Sequence, residues 1–179
     1  TIVEEMAKML LALLVLALAI CHSSIQGVPQ LPQDAREYIE AHNQARAHVG
    51  VCPLMWNYSL AKGASQLVRY QRNRKVCTFA NLTGTKYHRY GANQFVAGGL
   101  RLPPCAVVDE WVKEKKYYNY ANDWCAPNHK CCGYRQVVWR KSLELGCAQA
   151  TCGKNIDGCL TLTICLYNPP GNYKGQRPY

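Results

Sequence analysis

Apolar positions along the chain fall into one unbroken run, three helical stripes and two strand-like segments. The unbroken run is Met9 to Ile20, which has no polar face. Its twelve residues fall short of the ~20 needed to cross a bilayer, and Cys21-His22-Ser23-Ser24 follows. This layout predicts a secretory signal peptide over residues 1–27, cleaved within 23–27. A leader containing Pro29 and Pro32 then reads as extended chain, and Asp34 reads as the N-cap of a helix. That helix carries its apolar stripe on Ala35, Tyr38, Ile39, His42, Ala45 and Val49, and Gly50 ends it. Pro53 to Trp56 is a connector. A second amphipathic helix over Ser59–Tyr70 turns Leu60, Ala64, Leu67 and Val68 inward.

The pattern breaks from Asn73 to Gly99, which reads as an irregular loop, long enough to be functional or crosslinked. Pro103-Pro104 opens a third helix with Val107, Val108, Trp111 and Val112 on one side. Tyr117 to Asn128 is an aromatic, Asn-rich loop. Tyr134, Val137, Val138 and Lys141 have helical spacing, yet Val-Val-Trp favours a strand; on either reading Val137, Val138 and Trp139 are core. Leu143–Cys152 and Leu160–Tyr167 read as two strands joined by a Gly-Lys-Asn-Ile-Asp-Gly turn. Helices followed by a hairpin predict one α+β domain over 28–179.

Charge and cysteines narrow the setting. The chain has 21 Lys and Arg against 11 Asp and Glu, a net charge of +10, and loss of residues 1–27 raises this to +11. So basic an exported domain favours anionic surfaces such as cell-wall polysaccharide or phospholipid headgroups. Its basic residues are scattered and form no groove-reading motif, so nucleic acid is not an expected partner. Of eleven cysteines, Cys21 leaves with the leader. The even remainder reads as a disulfide framework, since no knuckle spacing suggests zinc. Asn57-Tyr58-Ser59 and Asn81-Leu82-Thr83 are glycosylation sequons.

Six segments, in order, carry a family pattern: Ala41-His42-Asn43-Gln44-Ala45-Arg46 with Val49-Gly50-Val51; Met55-Trp56-Asn57; Trp111-Val112-Lys113-Glu114-Lys115 with Tyr117-Tyr118-Asn119-Tyr120; Gln136-Val137-Val138-Trp139-Arg140; Leu145-Gly146-Cys147-Ala148; and Pro169-Pro170-Gly171-Asn172-Tyr173. Over residues 33–179 the chain resembles a plant pathogenesis-related class 1 protein of the CAP superfamily. The resemblance implies an α-β-α sandwich with an antiparallel sheet between helix layers. It also implies disulfides Cys77–Cys152, Cys125–Cys131 and Cys147–Cys165. Cys52, Cys105, Cys132 and Cys159 lie outside that pattern and could form two further bridges of unknown pairing.

Members of the family present two His and two Glu in a central cleft, a set suited to a divalent metal or acid–base work. Here Gly133 stands where the second His belongs, Ala92 replaces the first Glu in Tyr90-Gly91-Ala92-Asn93, and no His lies between Asn81 and Thr85. Glu114 is the sole remnant, expected to pair with Arg135 or a nearby Lys. His88 and His129 are the nearest replacements. The sequence therefore predicts no metal, no cofactor and no enzymatic activity; it contains neither a nucleophile elbow nor a phosphate loop.

The resemblance implies secretion to the apoplast or vacuole, defence against fungi and oomycetes, and sterol or other lipid binding by a monomer. Trp111, Tyr117, Tyr118 and Tyr120 are the lipid-contacting candidates, since Tyr and Trp combine broad apolar faces with one polar tip. Residues 169–179 resemble a defence-signalling peptide cut from the tail between Asn168 and Pro169, with a receptor as its partner. The alternatives are that the chain is chiefly this peptide's precursor, or a charge-held cell-wall protein without lipid binding.

Overall fold

The protein is described from a computed structural model that covers residues 30–179, apart from 75–76, 100 and 156–157 and the side chains of 153–158. The predicted signal peptide and its cleavage region lie outside the described residues. The compact unit runs from Pro32 to Tyr179.

Helix α1 spans Gln33–Ala47 and buries Ala35, Tyr38, His42 and Arg46. Ala35, Tyr38 and His42 are predicted stripe residues; the buried face then continues through Arg46, while the predicted Ile39, Ala45 and Val49 are partly buried and pack at its edge. Pro32, not Asp34, holds the N-cap position, and no side chain caps it. Asp34 sits in the first turn, where a carboxylate complements the helix dipole, and it pairs with Arg101. Strand β1, Met55–Trp56, leads into α2, Tyr58–Asn73. The Asn57 side chain caps α2 by accepting from the Ser59 and Leu60 backbone N–H groups. α2 buries Leu60, Ala64, Leu67 and Val68, as its periodicity predicts. Helix α3, Pro104–Val112, opens with Pro at its first position and runs into a 3-10 turn over Lys113–Tyr117.

Two readings change. The stretch read as loop to Gly99 contains strand β2, Gly91–Gly98, paired antiparallel with β6. Its most buried positions are Gly91, Asn93 and Ala97, too small or polar to register as alternating hydrophobics. The aromatic loop contains a two-stranded ribbon, β3 Tyr118–Asn119 and β4 Trp124–Cys125. The segment left between helix and strand is the short helix α4, Cys132–Val137. Val137, Val138 and Trp139 are fully buried.

The hairpin β5 Glu144–Asn155 and β6 Gly158–Asn168 is the centre of the sheet, whose order is β1-β5-β6-β2. All pairings are antiparallel except β1 with β5, which is parallel over two residues. Alternation along the hairpin builds two cores. Leu145, Cys147, Cys165 and Tyr167 face α1, α3 and α4, while Ala150, Leu162, Ile164 and Leu166 face α2. This is the predicted α-β-α sandwich. Gly146 sets its spacing, because a Cβ there would lie 2.1 Å from the Ala61 backbone nitrogen.

The disulfides are Cys77–Cys152, Cys125–Cys131 and Cys147–Cys165. The first spans 75 residues, a loop for which chain-entropy arguments give roughly 4 kcal/mol of stabilisation. Cys52, Cys105, Cys132 and Cys159 are free thiols, so the two further bridges are not formed. No described helix is long and apolar enough to cross a membrane.

Candidate functional site

Three features meet around α4: a central cleft, the aromatic ribbon and the final segment of the chain. The cleft, about 580 Å³, lies between β2, the 3-10 turn and the start of α4. Trp111, Glu114, His129, Cys132, Gly133 and Ala92 line it. The Glu114 carboxylate accepts the Tyr134 backbone N–H at 3.1 Å. It therefore caps α4 and makes no ion pair with Arg135. The Arg135 guanidinium instead meets Asp123 at 3.2 Å and donates to the Gln176 carbonyl. Asp123, in the turn between β3 and β4, offers a carboxylate free of helix-capping duty, which decides the partner.

Gly133 has a steric role here. A Cβ would stand 2.9 Å from Glu114 Oε2, so any side chain at this position displaces the cap. His88 is exposed and bonded to the Thr85 carbonyl. The His129 ring stacks on Tyr117 at 3.5 Å. Among the described residues, no three His, Cys, Asp or Glu side chains converge as a metal site would need. The cleft offers one carboxylate, already hydrogen-bonded, beside cationic Lys130 and Arg135.

A buried polar relay backs the cleft. His42 Nδ1 lies 2.7 Å from the Tyr38 carbonyl, which can only accept, so Nδ1 carries the proton. Nε2 then accepts from the Tyr167 hydroxyl at 2.8 Å. Asn93 Nδ2 donates both to that hydroxyl and to the Gly133 carbonyl. Burial pushes the His42 pKa down to about 4, since a charged imidazole has no solvent there.

Arg46, also fully buried, was not legible as a core residue. Its guanidinium donates to the carbonyls of Cys52, Val137, Trp139 and Ser142 at 2.7–3.0 Å. It thereby satisfies the carbonyls orphaned at the end of α4. Burial lowers its pKa to about 10.

The ribbon brings Tyr117, Tyr118, Tyr120 and Trp124 together around a shallow depression of about 610 Å³. Trp111 is not part of it; it is buried in the core and forms the cleft floor. Trp124, 49% exposed, takes the outer position. Several contacts hold the ribbon: Cys125–Cys131, the Tyr117–His129 stack, and the Tyr118 hydroxyl donating to Asp123 at 2.7 Å.

The segment after β6 folds back over α4. Gly171 N–H donates to Gln136 Oε1, Asn172 Nδ2 donates to the Cys132 carbonyl, and the Pro178 carbonyl accepts from Arg140 N–H. Tyr179 stacks on Tyr120 with centroids 4.6 Å apart. Asn168 is the last residue of β6, paired with Glu144. Asn57 is half-buried and Asn81 exposed.

Comparison with known proteins gives a consistent picture. The profile of the cysteine-rich secretory protein family (CAP) matches residues 39–167. The STS14 protein of Solanum tuberosum is 54% identical over 145 residues, covering 81% of this chain and 65% of that protein. The chain thus spans about two thirds of that relative's length. The Sambucus nigra "Pathogenesis-related protein PR-1 type" is 42% identical over 148 residues, covering 83% of this chain and 81% of its own. Among solved structures, Schistosoma mansoni venom allergen-like protein 4 superposes with a TM-score of 0.61 at 27% identity, covering 83% of this chain and 95% of that one.

Proposed function

Because the chain belongs to the cysteine-rich secretory protein family, we propose that it is a secreted plant defence protein that binds a sterol or similar rigid lipid through its aromatic ribbon. The defence role is carried over from relatives named as pathogenesis-related proteins at 36–42% identity. What supports the lipid reading is the ribbon itself: three tyrosines and Trp124 around one depression, on a hairpin pinned by a disulfide. A flat amphiphile with a single hydroxyl suits such a surface, because the rings supply apolar area and the Asn119 and Lys116 side chains supply polar contacts. Fixing the ribbon beforehand lowers the ordering cost of binding.

The reading assigns a binding role and no reaction. The apolar cleft with one engaged carboxylate favours this over hydrolysis. Titration with a labelled sterol tests it. The unaltered protein takes up the sterol saturably, and replacing Tyr117, Tyr120 and Trp124 together with Ala lowers affinity at least tenfold in a protein that circular dichroism shows still folded. Absence of saturable uptake, or uptake indifferent to the triple substitution, sinks the reading.

A further inference from the structure

A second amphipathic site lies along α2 and the loop preceding β2; it borders the central cleft at Phe79 and shares no lining residue with the ribbon. Between Glu40 and Asp109 the sequence contains nine Lys and Arg residues and no acid. The fold gathers part of this one-signed stretch along α2 and the loop preceding β2. Two cavities lie there side by side. One is an apolar groove of about 650 Å³ walled by Leu67, Tyr70, Phe79, Ala80 and Tyr87. The other, about 320 Å³, is lined by Lys62, Lys86 and Arg89 with no carboxylate.

Gln66 and Tyr87 line both cavities, and the Tyr87 hydroxyl donates to Gln66 Oε1. Gly63 explains how Tyr87 reaches this position. A Cβ on that residue would lie 2.7 Å from the Tyr87 ring. Glycine inside a helix costs roughly 1 kcal/mol relative to Ala; here it seats the ring that forms the wall shared by the two cavities.

The groove is held open by the fold. Cys77–Cys152 anchors the loop to β5, and the Gln94 side chain clamps both backbone groups of Ala80 at 2.7 and 2.9 Å. Phe79 and Tyr70 stay 57% and 58% exposed at its mouth. Lys86 and Arg89 are held over the Tyr87 and Tyr90 rings at 5.2 and 4.9 Å.

We propose that this pair of cavities binds a single-chain lipid with a phosphate monoester head, of the lysophosphatidate class. The acyl chain lies in the groove and the phosphate among Lys62, Lys86 and Arg89. Three cations without a carboxylate match a doubly charged phosphate better than a singly charged fatty acid. The groove volume falls within the range of small-molecule sites.

The test is calorimetric titration of the protein with its own glycans in place, Asn81 lining the groove, with oleoyl lysophosphatidate below its micelle concentration. Binding is saturable with one lipid per chain. Lys86→Ala with Arg89→Ala, both exposed positions, weakens it at least tenfold and leaves sterol uptake unchanged. Oleoyl lysophosphatidylcholine and glycerol 3-phosphate each bind at least tenfold more weakly. Equal binding of glycerol 3-phosphate would reduce the site to an anion patch, and binding only to anionic vesicles would make it a membrane-docking face; either result overturns the proposal. So does binding untouched by the double substitution. Because the ribbon is remote in residue content, failure here leaves the sterol reading standing, and the converse holds.

Discussion

His42 Nε2 accepts a hydrogen bond from the Tyr167 hydroxyl at 2.8 Å, and both side chains are fully buried. Each residue fixes the other's proton: the Tyr38 carbonyl forces the His42 tautomer, and that tautomer makes Tyr167 the donor. A protonated imidazole would face the Tyr167 proton with no acceptor. With the folded pKa near 4 and an unfolded value near 6.5, the unfolded chain binds an extra proton between these limits. Stability is therefore whole above about pH 6.5 and falls as pH drops toward 4, by about 3 kcal/mol from this residue. Urea unfolding of the wild type and of His42→Gln at pH 7 and pH 4 reads the effect. The wild type loses about 3 kcal/mol more than the variant, whose neutral amide does not titrate. The comparison cancels groups common to both proteins, including Glu144, whose pKa is lowered by bonds from Asn168 and Asn57.

Arg46 makes a second prediction. It is a buried cation held by four carbonyls from three segments, with no carboxylate among its hydrogen-bond partners. Arg46→Met keeps much of the volume but leaves those carbonyls without donors. The expected cost is at least about 3 kcal/mol, a fall in unfolding temperature on the order of 10 °C for a domain of this size. Arg46→Lys recovers at most half, because an ammonium cannot reach the carbonyls on opposite edges of a guanidinium plane. Differential scanning calorimetry distinguishes the three proteins.

The two sequons separate on structural grounds. Asn57 uses its Oδ1 to cap α2 and its Nδ2 to donate to Glu144 at 2.9 Å. A sugar on Nδ2 competes with that bond. Asn81 is exposed, and its side-chain bond is from Thr83 N–H to Oδ1, which leaves Nδ2 free. Peptide mass spectrometry of secreted protein is expected to find Asn81 occupied and Asn57 occupied in a minor fraction at most. Asn57→Ala lowers stability by about 1 kcal/mol through the lost cap, with no change in glycan mass.

These residues also mark how far the sequence could be read. The stripes of α2 and α3 and the hairpin were legible because large aliphatics recur at helical or alternating spacing. β2 was not, because Gly91, Asn93 and Ala97 carry its alternation through small size and hydrogen bonding. Arg46 follows His42 by four residues on the buried face of α1, whereas the predicted stripe ran on through Ala45 and Val49, because a guanidinium does not register as apolar. The family motifs located Glu114, but only its geometry assigned it to the Tyr134 N–H at the start of α4. The site along α2 needs residues 62 and 89 on one surface, and no local pattern joins them.

The bond between Asn168 and Pro169 sits under several clamps at once. Asn168 Nδ2 donates to Glu144 Oε2 at 2.7 Å, and the Asn168 carbonyl accepts from Leu143 N–H. The Pro169 carbonyl accepts from Ser142 Oγ, and Gly171 N–H donates to Gln136, whose Nε2 also holds Ser142. A protease needs this segment extended in its own cleft, so cutting tracks the fraction of molecules in which the clamps are open. Gln136 is buried and central to them. Gln136→Ala removes two hydrogen bonds, about 2 kcal/mol together, and so raises the open fraction roughly 30-fold. Incubation with a panel of proteases, followed by mass spectrometry, is expected to yield the Pro169–Tyr179 fragment slowly from the wild type and roughly 30-fold faster from the variant. Tryptophan fluorescence in the same samples must stay native, so that release reflects local opening. Equal rates would mean that the strand end is accessible without unclasping and that the tail is not restrained by Gln136.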